Sequence, residues 1–184
     1  MKANPAPGIL QRLVQEGSHF DAASRAEIEM CLAAGAAPHQ ITFGNTIKRP
    51  ADIAFAHGIG IRHFAVDAVE ELEKLAEHAP GAHVCVRLLV DATGADWPLS
   101  RKFGCTPDMA LALMDRARTL GLVADGLSFH VGSQTRDPMM WGATLDQVQT
   151  VWHAATDAGH APRLPDTRGG CPGRLGKYRR GHSH

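Results

Sequence analysis

The chain has 184 residues, 44% apolar and 21% charged, with 19 glycines and 11 prolines. That composition excludes a disordered, collagen-like or coiled-coil protein; the length allows one domain but falls short of the roughly 250 residues of a complete (β/α)8 barrel. The 19 basic and 19 acidic groups cancel, which excludes a global basic field for nucleic acid or acidic lipid.

In chain order, a short strand is expected at His19–Asp21. Ser24 and Glu27 then form an S-x-x-E helix start before Ile28, Leu32 and Gly35. Ile41–Asn45 reads as a strand, and Pro50 opens a helix over Ala51–His57. His63–Val66 is a continuous β-rich run. Asp67 reads as an N-cap, with Glu70 completing a capping box ahead of Val69, Leu72, Leu75 and Ala76. Val84–Val90 is the next strand, followed by a longer loop at Asp91–Gly104. Thr106 and Pro107 open a helix through Leu111, Met114, Ala117 and Leu120, which Gly121 is placed to end. Leu127–Val131 is a strand, and Asp137–Pro138 opens a helix through Leu145, Val148 and Val151.

A strand and a helix thus recur about every 20–25 residues, the signature of βα units and a parallel sheet. Several strands are apolar throughout, as strands buried on both faces are. No G-x-G-x-x-G follows a strand, which weighs against a dinucleotide fold. Periodicity alone leaves a barrel and a doubly wound sheet open and favours the barrel; together with the order of the motifs given below, the expectation is an incomplete β/α barrel of about six parallel strands.

Charge is unevenly spread. Residues 163–184 hold six basic groups against Asp166 alone, leaving a net −5 on the rest. Cys31, Cys85, Cys105 and Cys171 are widely spaced, so reduced thiols in a cytoplasmic protein are expected. There is no run of 18 apolar residues and no charged-then-apolar leader at the N-terminus, so no membrane association is expected.

In α/β folds, functional groups gather at the carboxyl ends of strands. Asp21, Asn45, Asp67, Arg87 with Asp91, and His130 with Ser133 stand there. Asp21 also reads as a turn residue, and His130 by itself as a satisfied core histidine. Arg87 lies in an apolar run, where a guanidinium needs an anionic partner, a polar mouth or a ligand. Ser128-Phe129-His130-Val131-Gly132-Ser133 places an aromatic base, a glycine and a hydroxyl where a strand enters a loop. A glycine there lets backbone N–H groups approach a phosphate. Gly169-Gly170 has the same potential but alone reads as a turn. His182 and His184 offer metal-binding nitrogens, but a frayed terminus is the simpler reading.

Lys2-Ala3-Asn4-Pro5, Phe20-Asp21-Ala22-Ala23-Ser24 with Glu27, Ser100-Arg101-Lys102-Phe103-Gly104 and the His130 motif occur in that order. Together they resemble the pyridoxal-phosphate-dependent ornithine, diaminopimelate and arginine decarboxylases, built on an alanine-racemase-like barrel. The likeness runs over about residues 2–173 and is closest to the ornithine branch. It implies pyridoxal 5′-phosphate (PLP) as cofactor, with Lys2 as the lysine that carries it. His130 would lie over the pyridine ring, and Ser133 would bind the phosphate. Arg168-Gly169-Gly170-Cys171-Pro172-Gly173 stands where the family has a glycine-rich phosphate loop, so Gly169 and Gly170 are cofactor-binding candidates. Asp21, Glu27 and Arg87 match residues around that site.

The implied function is decarboxylation of a small basic amino acid, ornithine to putrescine in polyamine biosynthesis. The intact family is homodimeric. Lysine, diaminopimelate or arginine are alternative substrates; a non-catalytic binding protein resembling antizyme inhibitor and a small PLP carrier are alternative classes. Measured against the family, the chain is expected to be truncated at both ends. It would lack the first barrel strand, the C-terminal β-domain and the partner-subunit groups, and so turn over poorly. Residues 1–162 are read as a partial PLP-binding barrel domain. Residues 163–184 are read as a degenerate glycine-loop segment with a basic tail.

Overall fold

A computed structural model describes residues 4–90, 102–131 and 138–167. Among the described residues, six helices and six strands alternate: α1 (Pro7–Gln15), β1 (Phe20–Ala22), α2 (Arg25–Ala33), β2 (Ile41–Phe43), α3 (Pro50–Gly58), β3 (His63–Val66), α4 (Val69–His78), β4 (His83–Arg87), α5 (Pro107–Thr119), β5 (Val123–Phe129), α6 (Pro138–Asp157) and β6 (Leu164–Thr167). A single 3-10 turn, Pro38–Gln40, precedes β2.

The strands form one sheet in the order β1-β2-β3-β4-β5-β6, each pair parallel. A doubly wound sheet reverses its strand order at a switch point. Strictly consecutive order is the arrangement of a β/α barrel, as expected from the sequence. Phe64 and Val66 of β3, Val84 and Val86 of β4 and Leu127 of β5 are fully buried. They pack with Leu72 and Leu75 of α4 and with Leu113, Met114 and Ala117 of α5. Burying one such side chain contributes about 1.5–3 kcal/mol. No helix among the described residues is long and apolar enough to cross a membrane.

Two helix starts follow the expected chemistry. The Ser24 hydroxyl accepts from Glu27 N–H (3.3 Å), and Glu27 Oε2 accepts from Ala23 N–H (2.6 Å). Thr106 caps α5 by accepting from Met109 N–H, with Pro107 at the first helical position. Asp67 departs from expectation. The N-cap of α4 is Ala68, without a side-chain cap bond. Asp67 Oδ2 instead accepts from Gly104 N–H at 2.9 Å, 37 residues on. A backbone donor brought in by the tertiary fold has displaced the local cap.

β6 lies within the segment read as a degenerate tail, yet it pairs with β5 from Leu164 to Thr167. β5 begins at Val123, four residues before the expected strand start at Leu127. Its ladder with β4 breaks register: Val84 pairs with Ala124, but Cys85 pairs with Gly126. Asp125 is therefore an extra residue, a β-bulge in a parallel pair.

Candidate functional site

The carboxyl ends of β1, β2, β4 and β5 open onto a cavity of about 240 Å3 lined by Asp21, Ala23, Gly44, Asn45, Arg87, Phe103 and His130. Parallel pairing creates this convergence. Cα partners in adjacent strands present side chains to the same face, and alternation repeats that face every second residue. Arg87 pairs with Ser128, so Arg87, Ser128 and His130 share the cavity side. Asp21 enters from β1, and Asn45 from the loop after β2.

Phe103 is brought in by a short pairing outside the regular strands. Cys105 N–H donates to Arg87 O (2.9 Å), and Leu89 N–H donates to Cys105 O (2.8 Å). Gly104 makes this approach possible. Its φ is +103°, and a Cβ there would lie 2.7 Å from Leu89 N and 2.8 Å from the Leu88 carbonyl. The Asp67 carboxylate holds the Gly104 amide, and the Phe103 ring then lies 5.2 Å from the Arg87 guanidinium carbon. That distance is within cation–π range. Cys105 is no nucleophile: burial pushes its thiol up to about 12, and its S–H donates to Arg87 O.

The loop carrying Asn45 rests on a lysine that the sequence reading did not single out. Lys48 Nζ is fully buried and donates to the carbonyls of Ala65 (2.7 Å), Asn45 (3.0 Å) and Thr46 (3.3 Å). It also pairs with Glu71 Oε2 at 3.2 Å. Lys74 binds the other Glu71 oxygen and reaches back to the Lys48 carbonyl at 2.7 Å. Burial lowers the Lys48 pKa to about 8, and Glu71 opposes the shift. Its anionic partner Glu71 and the Ala65 carbonyl lie 23 and 17 residues away, so no local pattern could have announced the cluster.

Of the residues proposed from sequence, Asp21, Arg87 and His130 meet at the cavity. Glu27 stands one step back: its carboxylate bonds the amide of Ala23, which lines the cavity. Lys2, Ser133, Gly169 and Gly170 lie outside the described residues. The described portion fits a PLP-sized anionic heterocycle. It combines a guanidinium, an imidazole and a benzene ring with one carboxylate. Beside Arg87 on the same face, the buried Ser128 Oγ has no hydrogen-bond partner among the described residues.

The sequence matches the family described as pyridoxal-dependent decarboxylase, pyridoxal binding domain, over residues 1–179. It is 36% identical over 172 residues to the lysine/ornithine decarboxylase of Selenomonas ruminantium, covering 94% of this chain and 44% of that protein. It is 33% identical over 173 residues to the ornithine decarboxylase of Mus pahari, covering 94% of this chain and 38% of that protein. Among solved structures, the Selenomonas ruminantium lysine decarboxylase in complex with PLP and cadaverine superposes with a TM-score of 0.86. That match has 35% identity over 94% of this chain and 43% of the other. The chain thus spans well under half the length of these relatives. Parallel βα topology, a polar cavity at the carboxyl ends of the strands and the match along nearly the whole chain agree: the chain belongs to the pyridoxal-dependent decarboxylases and matches their pyridoxal binding domain.

Proposed function

We propose that this chain is the cofactor-holding part of a decarboxylase acting on a small basic amino acid, with L-ornithine, giving putrescine for polyamine synthesis, as the preferred substrate. The observation that carries the reading is the convergence of Asp21, Arg87 and His130 on one cavity, in a chain of this family. Bound PLP supplies an electron sink for the pair left behind when carbon dioxide departs. The protein's task is to hold and orient.

Arg87 gives the cavity a cationic pole that draws in a phosphate- or carboxylate-bearing ligand. Asp21 gives an anionic pole suited to an ammonium group. The His130 imidazole and the Phe103 ring supply flat surfaces for a planar heterocycle. Phe103 also shields the Arg87 side of the cavity from water, which strengthens the charge interactions there. The Lys48–Glu71 cluster braces the Asn45 loop, which forms part of the cavity wall. Lys2 as cofactor lysine, Ser133, Gly169 and Gly170 as phosphate ligands, a homodimer and a cytoplasmic location belong to the same proposal and rest on the resemblance.

The test is absorbance titration of the purified chain with PLP, followed by release of labelled carbon dioxide from ornithine, lysine, arginine and diaminopimelate. Saturable PLP binding that is lost in Lys2→Ala, and weakened in His130→Ala with unchanged circular dichroism, supports the reading. Absence of saturable PLP binding sinks it. A higher rate with lysine, arginine or diaminopimelate than with ornithine would replace the substrate assignment.

A further inference from the structure

At the opposite ends of the same strands lies a second cluster. His63 is the first residue of β3 and His83 the first of β4, and they are Cα partners. Their rings stand 4.9 Å apart, tilted by 37°. Asp125, the bulge residue of β5, places Oδ2 2.6 Å from His83 Nδ1. One ligating atom from each of the three side chains lies within 4.8 Å of the other two. Along β4, His83 and Arg87 are four residues apart, about 13 Å at strand rise. The cluster is thus separate from the cavity.

We propose that His63, His83 and Asp125 form a binding site for a divalent transition-metal ion of the zinc class, tying β3, β4 and β5 together at their amino ends. Two imidazoles and a carboxylate are a donor set that suits this class. Metal–ligand bonds of about 2.0–2.1 Å place tetrahedral donor atoms about 3.3 Å apart. The His83–Asp125 contact opens slightly to reach that spacing, and the looser pairs close by about 1.5 Å or less, within the range of side-chain rotation.

A hydrogen-bonded histidine–aspartate pair would account for two of the residues but not for the third. His63 is half-buried at the start of β3, with its ring against that of His83. A neutral imidazole has a lone pair to offer. When the ion binds His83 through Nδ1, the imidazole carries its proton on Nε2, and the Asp125 carboxylate turns from hydrogen-bond partner of the ring to ligand of the ion. The bulge re-aims the aspartate: strand bulges often redirect a side chain in this way. The His83 side chain is 37% exposed, which gives the ion an entry path and leaves room for water as a further ligand. The amino face of a β/α barrel serves stability rather than catalysis. A structural tie is the expected role, independent of the cofactor reading.

The experiment is a Co2+ titration of the full chain, stripped with EDTA and free of PLP, read by visible absorption and by Zn2+ competition. One equivalent of Co2+ should give intense low-symmetry bands that Zn2+ abolishes, and Zn2+ should raise the thermal midpoint. His63→Gln and Asp125→Asn should each weaken binding by more than the ten- to hundredfold loss typical of an outer-shell change. His153→Gln, on the exposed face of α6, should leave it intact. Asp125→Asn keeps an acceptor for the His83 N–H, so it tests the ligand with least damage to the fold. Equal affinity in both cluster variants assigns the metal to other histidines and overturns the proposal, as does the absence of saturable binding. If both variants fail to fold, X-ray absorption of the wild-type zinc complex decides. Two imidazoles with oxygen donors are expected; a shell without imidazole or with sulfur overturns the proposal.

Discussion

Two charged regions of this molecule, joined through the loop that carries Asn45 and Lys48, are put to different uses. Lys48, Glu71 and Lys74 are enclosed by the loop after β2, β3 and α4, and their ionic and carbonyl contacts are supplied by the chain itself. Asp21, Arg87 and His130 line a cavity large enough for a small molecule. The first region turns charge into rigidity, whereas the second keeps charge facing a space that a ligand can enter. Altering the enclosed group should cost stability, and altering the open group should cost binding.

Lys48→Met breaks the enclosed cluster most severely. It leaves Glu71 buried with Lys74 alone and should destabilise by about 3–5 kcal/mol, read by urea unfolding. The pH profile sharpens the point. The Lys48 pKa is about 8 in the folded chain against an ordinary 10.5, so the unfolded chain binds the additional proton between those values. Stability from this group therefore rises as pH climbs from about 8 to 10.5. Cys105 acts in the reverse sense: its folded pKa of about 12 lies above the ordinary 9.0, so its contribution falls as pH rises across that interval. Comparing wild type with Lys48→Met at each pH isolates the lysine slope.

Arg87→Met probes the open region. Loss of a charge-assisted contact should weaken PLP binding by about 1.5–3 kcal/mol, one to two orders of magnitude in Kd. The thermal midpoint should move by less than about 4 °C. Gly104→Ala stands between the two classes. A β-carbon at φ +103° against the Leu88–Leu89 backbone should cost about 1–3 kcal/mol. It should also shift Phe103 from Arg87, detectable as weaker PLP binding alongside the lower midpoint. Ser24→Ala removes the side-chain cap of α2 and should cost about 1 kcal/mol, read by urea unfolding.

How far the fold could be read depended on how local its causes were. The strand over His63–Val66 is the same in sequence and structure: Phe64, Ala65 and Val66 form an apolar run that is buried on both faces. The start of β5 was hidden by Asp125-Gly126, a dipeptide that signals a turn. β6 was hidden by Pro165, which is tolerated on edge strands and depleted elsewhere. Asp67 carried a strong local cap signal and was claimed instead by Gly104. Asp21, Arg87 and His130 were readable as polar residues at the carboxyl ends of strands. The Lys48–Glu71 pair and the His63–His83–Asp125 group were not: the lysine and its carboxylate are 23 residues apart, successive members of the second group 20 and 42 residues apart, and both meet only through the tertiary fold.

The extra residue in β5 also separates two inheritances. In an unbroken strand, Asp125 would share a face with Leu127 and Phe129, and Ser128 and His130 would face the other way. The register break lets odd-numbered Asp125 and even-numbered His130 serve the same side, one at each end. A deletion of Asp125 alone would restore regular pairing with β4 and leave the phase of everything downstream untouched. The histidine of the cavity would stay in place while the lower cluster lost its carboxylate. One residue thus supplies the carboxylate of the lower cluster and, through its carbonyl, holds the Arg163 amide at the entrance to β6.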